Sequence, residues 1–210
     1  MNIKASGFQA IQAGTVVKLR CPSCRQRGTF EQLNINDANI SSANEMVTVG
    51  IRRCPDPACF ALVFFMYKQG QVVDSYPPET IDFDATNVPV AVQTVLEEAI
   101  KCHAQRCFIA SAIMVRKTLE ELCRDRGAAG PNLKERIKAL GAKVVLPAEL
   151  LEGLDDLRLL GNDAAHIESQ EYTKVGQEEV EVGIEFTKEV LKAVYQYSAL
   201  LSKLRALKKP

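Results

Sequence analysis

Hydrophobic and polar residues follow two different patterns along this chain, and the change between them falls after residue 76. Before that point, short strand-like runs rich in β-branched and aromatic residues are bounded by Pro, Gly and Asn, which is typical of antiparallel strands joined by turns. These runs are TVVKLR, GTFEQL, EMVTVGIRR, FALVFFMY and QVVDSY. The pattern predicts a small antiparallel β domain over residues 1–76.

Beyond residue 90, apolar residues recur every three or four positions, which is the spacing of one face of an α-helix. Helices are predicted over 90–104, over 105–126 as the central helix, from an Asn132 N-cap to Gly141, from Pro147 to Gly161, and over 177–207. The last helix is long, so we expect it either to bend, with Gly176 and Gly183 as the weak points, or to project beyond the bundle with an apolar stripe that a second copy could cover.

The stretch PPETIDFDATNVP over residues 77–89 contains three prolines and has little periodicity, so we interpret it as a linker. The predicted fold class is therefore α+β in two domains, with a β domain over 1–76 and a helical bundle with a long C-terminal helix over 90–210. Hydrophobic residues make up 47% of the chain and charged residues 25%, which is typical of a soluble globular protein. Because no run is long enough to span a bilayer and the N-terminus lacks a secretory pattern, we expect a cytoplasmic protein without a membrane partner.

Formal net charge is zero, although residues 1–76 carry three more basic than acidic residues. Such a surplus is compatible with a nucleic-acid partner, whose binding would then depend strongly on salt, or with an ordinary solvated surface. The basic residues that would carry this binding are Arg20, Arg25, Arg27, Arg52 and Arg53.

Cysteine spacing points to a metal site in the β domain. Cys21 and Cys24 form one pair, Cys54 and Cys59 form a second, and 29 residues separate the two pairs. In a reducing compartment such pairs favour zinc over disulfides, because zinc binds four thiolates tetrahedrally. We predict a zinc ribbon with one structural zinc ion; the alternative is a pair of reduced hairpins without metal. Such a closed site leaves no position for a substrate.

Polar and thiol side chains also occur on the predicted helices. Cys102, His103 and Cys107 are better interpreted as core residues than as metal ligands, because the two cysteines lie on different helix faces. Arg116 and Glu120 are four residues apart on the central helix; we expect them to form a partly buried ion pair that specifies packing, or one of them to reach a neighbouring helix.

The stretch RLLGNDAAH raises the question of catalysis. If the fourth helix stops at Gly161, Asn162 can cap a new turn that carries Asp163 and His166. Arg158 approaches His166 only if the helix is interrupted there, because an unbroken helix would separate them by about 12 Å along its axis. In the alternative interpretation, Asn162 and His166 bind Arg116 or Glu120 and only stabilise the fold.

The helical part, with AIMVRKTLEELC followed by LRLLGNDAAH and a long terminal helix, resembles the domain-of-unknown-function family 4145. That family is similar to the HEPN superfamily (higher eukaryotes and prokaryotes nucleotide-binding). The resemblance covers roughly residues 88–205 and implies a HEPN-like dimer, with a hint of defence against foreign nucleic acid because such domains occur on restriction subunits.

Ribonucleolytic members of that superfamily pair an arginine and a histidine with four to six residues between them, without a metal. Here seven residues separate Arg158 from His166. If the pair were catalytic, His166 would act as general acid or base and Arg158 would stabilise developing phosphate charge. The favoured hypothesis is a homodimeric zinc-binding adaptor that recruits a protein or nucleic acid, and the alternative is a metal-independent endoribonuclease.

Overall fold

In the computed structural model the described residues are 7–42, 45–165 and 175–207. The chain forms two compact units, Met1–Asp82 and Phe83–Pro210. The first unit consists of antiparallel strands and the second of helices, which confirms the predicted α+β class. Within the described parts of the chain, none of the helices combines the length and hydropathy that a membrane span needs.

The first unit contains one sheet of six strands and one of two strands, all paired antiparallel. The strands are β1 (Gly7–Ile11), β2 (Lys18–Arg20), β3 (Arg27–Thr29), β4 (Glu31–Gln32), β5 (Asp37–Ser42), β6 (Glu45–Arg53), β7 (Leu62–Lys68) and β8 (Gln71–Tyr76). The larger sheet has the order β1-β5-β6-β7-β8, and β4 pairs with β6; β2 and β3 form the smaller sheet. Among these, β6 and β8 coincide with the predicted strands EMVTVGIRR and QVVDSY, whereas β1 and β5 were not predicted.

Strand β5 was missed because its sequence, DANISS, is mostly polar. Asp37 nevertheless has a fully buried carboxylate, which accepts hydrogen bonds of 2.8 and 2.6 Å from the guanidinium of Arg52 on β6. The guanidinium also lies 4.6 Å from the centre of the Phe65 ring and donates to the carbonyl of Thr15. A side chain at Gly50 would overlap the Asp37 carboxylate, so this glycine makes room for the buried ion pair.

The second unit contains α1 (Val90–Ala104), α2 (Phe108–Asp125), α3 (Leu133–Gly141), α4 (Ala148–Ala165), α5 (Gln177–Leu191) and α6 (Tyr197–Ala206), with one π-helical turn, Lys192–Gln196, joining the last two. Helix α2 packs against α1, α3, α4 and α5, so the predicted central helix is confirmed. Asn132 caps α3 as predicted, because its side chain accepts a 3.0 Å hydrogen bond from the N–H of Glu135.

The predicted helix stop at Gly161 is wrong, because α4 continues without interruption to Ala165. Gly161 is buried, and a Cβ at this position would overlap the Cβ of Arg116 and lie 3.0 Å from the carbonyl oxygen of Ala112. The glycine therefore allows α4 to approach α2 closely. Asn162 and Asp163 lie inside α4 rather than at the start of a new turn.

Gly161→Ala is expected to lower the free energy of unfolding by about 1–3 kcal/mol, because the added methyl group overpacks the contact between α4 and α2. Glu152→Ala, at an exposed position of α4, is the control and should change stability by less than about 0.5 kcal/mol. Urea unfolding followed by circular dichroism measures both; an unchanged or more stable Gly161→Ala variant would contradict this role for the glycine.

Two further sequence expectations need correction. The irregularity in the last helix lies at Lys192–Gln196, where the backbone forms a π-helical turn, whereas Gly183 is buried in regular helix against Leu157 and Leu160. Cys107 is not a core thiol, because it is exposed at the N-terminus of α2, while Cys102 is partly buried.

Candidate metal centre and the Arg158 region

Hairpin ends in the first unit bring the four paired cysteines together. Cys21 directly follows β2 and Cys54 directly follows β6, while Cys24 and Cys59 lie a few residues before β3 and β7. The four Sγ atoms all lie within 4.8 Å of one another. The Sγ atoms of Cys21 and Cys59 are 3.8 Å apart, and those of Cys24 and Cys54 are 3.7 Å apart.

These separations fit one tetrahedral zinc ion. Four sulfurs at about 2.3 Å from a central zinc lie about 3.8 Å from each other. A disulfide, in contrast, needs sulfurs about 2.05 Å apart, and all four cysteines are free. Among the residues that the structure describes, these four cysteines form the group of metal-ligating side chains that could hold an ion. Their geometry is compatible with the predicted zinc site.

Each turn between paired cysteines directs backbone N–H groups at sulfur. Arg25 and Phe60, which directly follow the second cysteine of each pair, have positive φ angles of 64° and 48°. This left-handed conformation turns the N–H of the following residue toward the sulfur of the second cysteine. The N–H of Gln26 donates to Cys24, and that of Ala61 donates to Cys59. Such donors stabilise thiolates.

The N–H groups of Ser23 and Asp56 complete the set, donating to Cys21 and Cys54. The prolines at 22, 55 and 57 have no N–H, and non-proline residues supply the donors, as expected from the sequence.

Protonation of the four thiols is uneven in the absence of a cation. Burial raises the pKa of Cys54 to about 12. The N–H of Ala61 and the side chain of Ser23 lower the pKa of Cys59 to about 7. Four adjacent thiolates would repel one another, so a bound cation must displace protons and supply the positive charge that holds them together.

The cysteine cluster is part of the hydrophobic core of the first unit. Cys21 and Cys54 are buried and pack with Val17, Leu19, Phe30, Val63 and Phe65, while Cys24 and Cys59 lie at the edge of this core. Four protein ligands complete a tetrahedral shell and leave no position for a substrate. This arrangement suits a metal that stabilises the fold.

The basic residues considered for nucleic-acid binding are largely engaged by acidic partners. Arg52 is buried against Asp37, so the expectation that it contacts a nucleic acid is wrong. Three of the others form ion pairs: Arg20 with Asp82 at 3.3 Å, Arg27 with Glu79 at 3.4 Å, and Arg53 with Glu31 at 2.7 Å. These pairs reduce the positive field that a polyanion would meet.

In the second unit, Arg116 joins α2 to α4. Its Nε lies 3.7 Å from the carboxylate of Glu120, and its Nη1 donates a 3.2 Å hydrogen bond to the carbonyl of Arg158. Both side chains are about three-quarters buried. The pair thus lies where the sequence placed it, at a helix contact.

Arg158 is held by a carboxylate of its own helix. Its guanidinium donates hydrogen bonds of 2.6 and 3.2 Å to the two carboxylate oxygens of Asp155, which lowers the pKa of Asp155. His166, the predicted catalytic partner, lies outside the described residues. The interruption through which Arg158 was expected to approach it is absent at Gly161.

The sequence analysis did not single out the outer face of α5. There a groove of about 570 Å³ is lined by Gln177, Glu178, Glu181, Val182, Glu185, Phe186 and Glu189. The signal was available, since Gln177, Glu181, Glu185 and Glu189 recur every four residues and form one row on a helix. The buried apolar residues of the same helix produce the stronger periodic pattern.

Comparison with known proteins gives one match. The family model described as Domain of unknown function (DUF4145) matches residues 97–209. No curated protein and no solved structure matches the chain. The matched range begins within α1 and extends past α6, so the cysteine cluster lies outside it.

Proposed function

The chain belongs to the family described as Domain of unknown function (DUF4145), and from this premise we propose that it is a zinc-binding adaptor protein without catalytic activity. The first unit binds one structural zinc ion through Cys21, Cys24, Cys54 and Cys59. The second unit is a HEPN-like domain that forms a homodimer. From the resemblance stated above, we place the adaptor in nucleic-acid-directed defence, in a restriction-like context.

The observation that carries this proposal is the closed set of four thiols within 4.8 Å of one another, embedded in a hydrophobic core. An ion held by four protein sulfurs has no site for an activated water. Its contribution is to stabilise a domain that presents a surface. Because the neighbouring arginines are paired with carboxylates, the surface favours a protein partner over a nucleic acid.

Two observations disfavour the endoribonuclease hypothesis. Arg158 is engaged by Asp155, and a catalytic arginine must instead face the developing phosphate charge. In addition, α4 is unbroken from Arg158 to Ala165. The turn at Gly161 that was expected to bring Arg158 toward His166 is therefore absent. We infer that Arg158 stabilises α4 through its ion pair with Asp155.

Wild-type protein is expected to show no cleavage of single-stranded or structured RNA above the level of the Arg158→Ala variant. Because Arg158 fixes Asp155, Arg158→Ala should lower stability by about 0.5–1 kcal/mol and change nothing else. Cleavage of fluorescently labelled RNA in EDTA and thermal unfolding measure the two effects.

His166→Ala is the second variant, and zinc content is followed in all samples. Metal-independent RNA cleavage by the wild type that both substitutions abolish in protein that remains folded would overturn the adaptor proposal. Because the cysteine cluster and Arg158 lie in different units, the helical circular dichroism signal of every variant would separate a loss of activity from a loss of folding of the second unit.

A further inference from the structure

The groove on α5 combines apolar and acidic side chains. Val182 is 64% exposed, and Phe186, one turn further along the same row, is half-buried because the tip of its ring packs at Gly153 of α4. Carboxylates of Glu178, Glu181 and Glu185 flank these two residues. A surface of this kind is complementary to a segment with apolar side chains and positive charge.

Negative charge is concentrated at the N-terminal half of this groove. Lys188 donates hydrogen bonds of 2.8 and 2.7 Å to Glu185, and Lys192 donates one of 2.8 Å to Glu189. Within the described ranges, no basic side chain forms an ion pair with Glu178 or Glu181. A basic partner would therefore bind beside these two residues.

Helix α6 carries exposed apolar and basic side chains, which are complementary to the apolar and acidic side chains of the groove. Its apolar residues recur every three or four positions and form one stripe, yet they are exposed by 46–81%: Tyr197, Leu200, Leu201, Leu204 and Leu207. Basic residues Lys203 and Arg205 lie in its last turn. Among the described elements, α6 has substantial contacts with the π-helical turn alone, so its stripe is not covered by its own unit.

The two surfaces match in length but cannot meet within one chain. The groove spans Gln177 to Glu189, about 18 Å along the helix, and the stripe from Tyr197 to Leu207 spans about 15 Å. Helix α6 continues α5 through helical backbone at residues 192–196. It therefore extends away from the groove of its own copy.

We propose that α6 of a second copy of this chain occupies the α5 groove, and that the exchange is reciprocal. The helices run antiparallel, so that Lys203 and Arg205 lie beside Glu178 and Glu181, and the leucines cover Val182 and Phe186. This interface deepens the homodimer of the proposed function, on which it rests, and it has the two-fold symmetry of most homodimers.

Sedimentation equilibrium of the full-length, zinc-loaded protein tests the interface. The wild type is expected to be a dimer. Leu204→Glu should raise the dimer Kd at least 100-fold, and Glu181→Lys and Lys203→Glu should each raise it at least tenfold, since each reversal occurs twice per dimer. Glu152→Lys, an exposed change on α4, is the matched control and should leave the Kd unchanged.

Mixing the two charge-reversal variants gives the sharper test. In a mixed dimer, one contact is the native pair and the other is the reversed pair, so Glu181→Lys and Lys203→Glu protein should dimerise with each other at least tenfold more tightly than either does with itself. If Leu204→Glu disrupts the dimer and neither charge reversal affects it, the α5 groove is not the binding site of α6. That result would indicate direct pairing of α6 helices. A monomeric wild type would overturn the dimer as well, while zinc content and RNA cleavage test the adaptor function independently.

Discussion

Cys54→Ser is expected to abolish stoichiometric zinc binding and to unfold the first unit while the helices of the second remain folded. The Cys54 side chain is both a candidate ligand and part of the buried core, and a serine hydroxyl does not replace a thiolate at neutral pH. Structural zinc sites contribute about 10–16 kcal/mol to small domains. That is comparable to the whole stability of a typical domain, about 5–15 kcal/mol, so the first unit is expected to unfold.

Native mass spectrometry gives the zinc content, and hydrogen exchange shows which strands lose protection. Cys107→Ser is the matched control, because Cys107 is exposed at the start of α2 and lies outside the cluster. It should keep one zinc per chain. If Cys54→Ser retained full zinc content, or kept the protection of β6 and β7, the four-thiol centre would be refuted.

Asp37→Asn has the second largest expected effect. The substitution keeps the size of the side chain but leaves the Arg52 guanidinium buried without a compensating charge. The side chains of the pair are 1% and 0% exposed, and removing one partner of a buried ion pair costs about 3–5 kcal/mol. Unfolding of the zinc-saturated protein in urea, followed by hydrogen exchange in β5 and β6, measures the loss.

The pair of Arg53 and Glu31 provides an internal comparison on the same sheet. Its 2.7 Å contact is similar, but the side chains are 41% and 42% exposed. Exposed pairs contribute at most about 1 kcal/mol, so Glu31→Gln should have little effect. Equal losses for Glu31→Gln and Asp37→Asn would show that burial does not determine the contribution of Arg52.

Local sequence patterns were sufficient for most of the helical unit and for the four cysteines of the cluster. The span of α1, the N-cap at Asn132 and the central position of α2 followed from apolar spacing and capping chemistry. The cysteine cluster followed from two short turns, because each pair is fixed by a few neighbouring residues. The 29 residues between the two pairs include strands of the sheet, and only the sheet brings the two pairs together.

Residues whose role depends on distant neighbours were interpreted wrongly. Gly161 was taken for a helix stop, but its role is set by Arg116 and Ala112, more than 40 residues earlier in the chain. Arg52 was assigned to a basic surface, because a sequence gives its charge but not the carboxylate of Asp37 that allows its burial. Strand β5, which carries that carboxylate, has too few apolar residues to be recognised.

The sequence by itself therefore determined the class of each unit, most of the helix positions and the four cysteines that cluster, since turns, caps and periodicity act over a few residues. Tertiary structure alone decided which charges are buried, why Gly161 is a glycine, and where the last helix becomes irregular. These depend on which surfaces meet, and packing between distant segments overrides local preference.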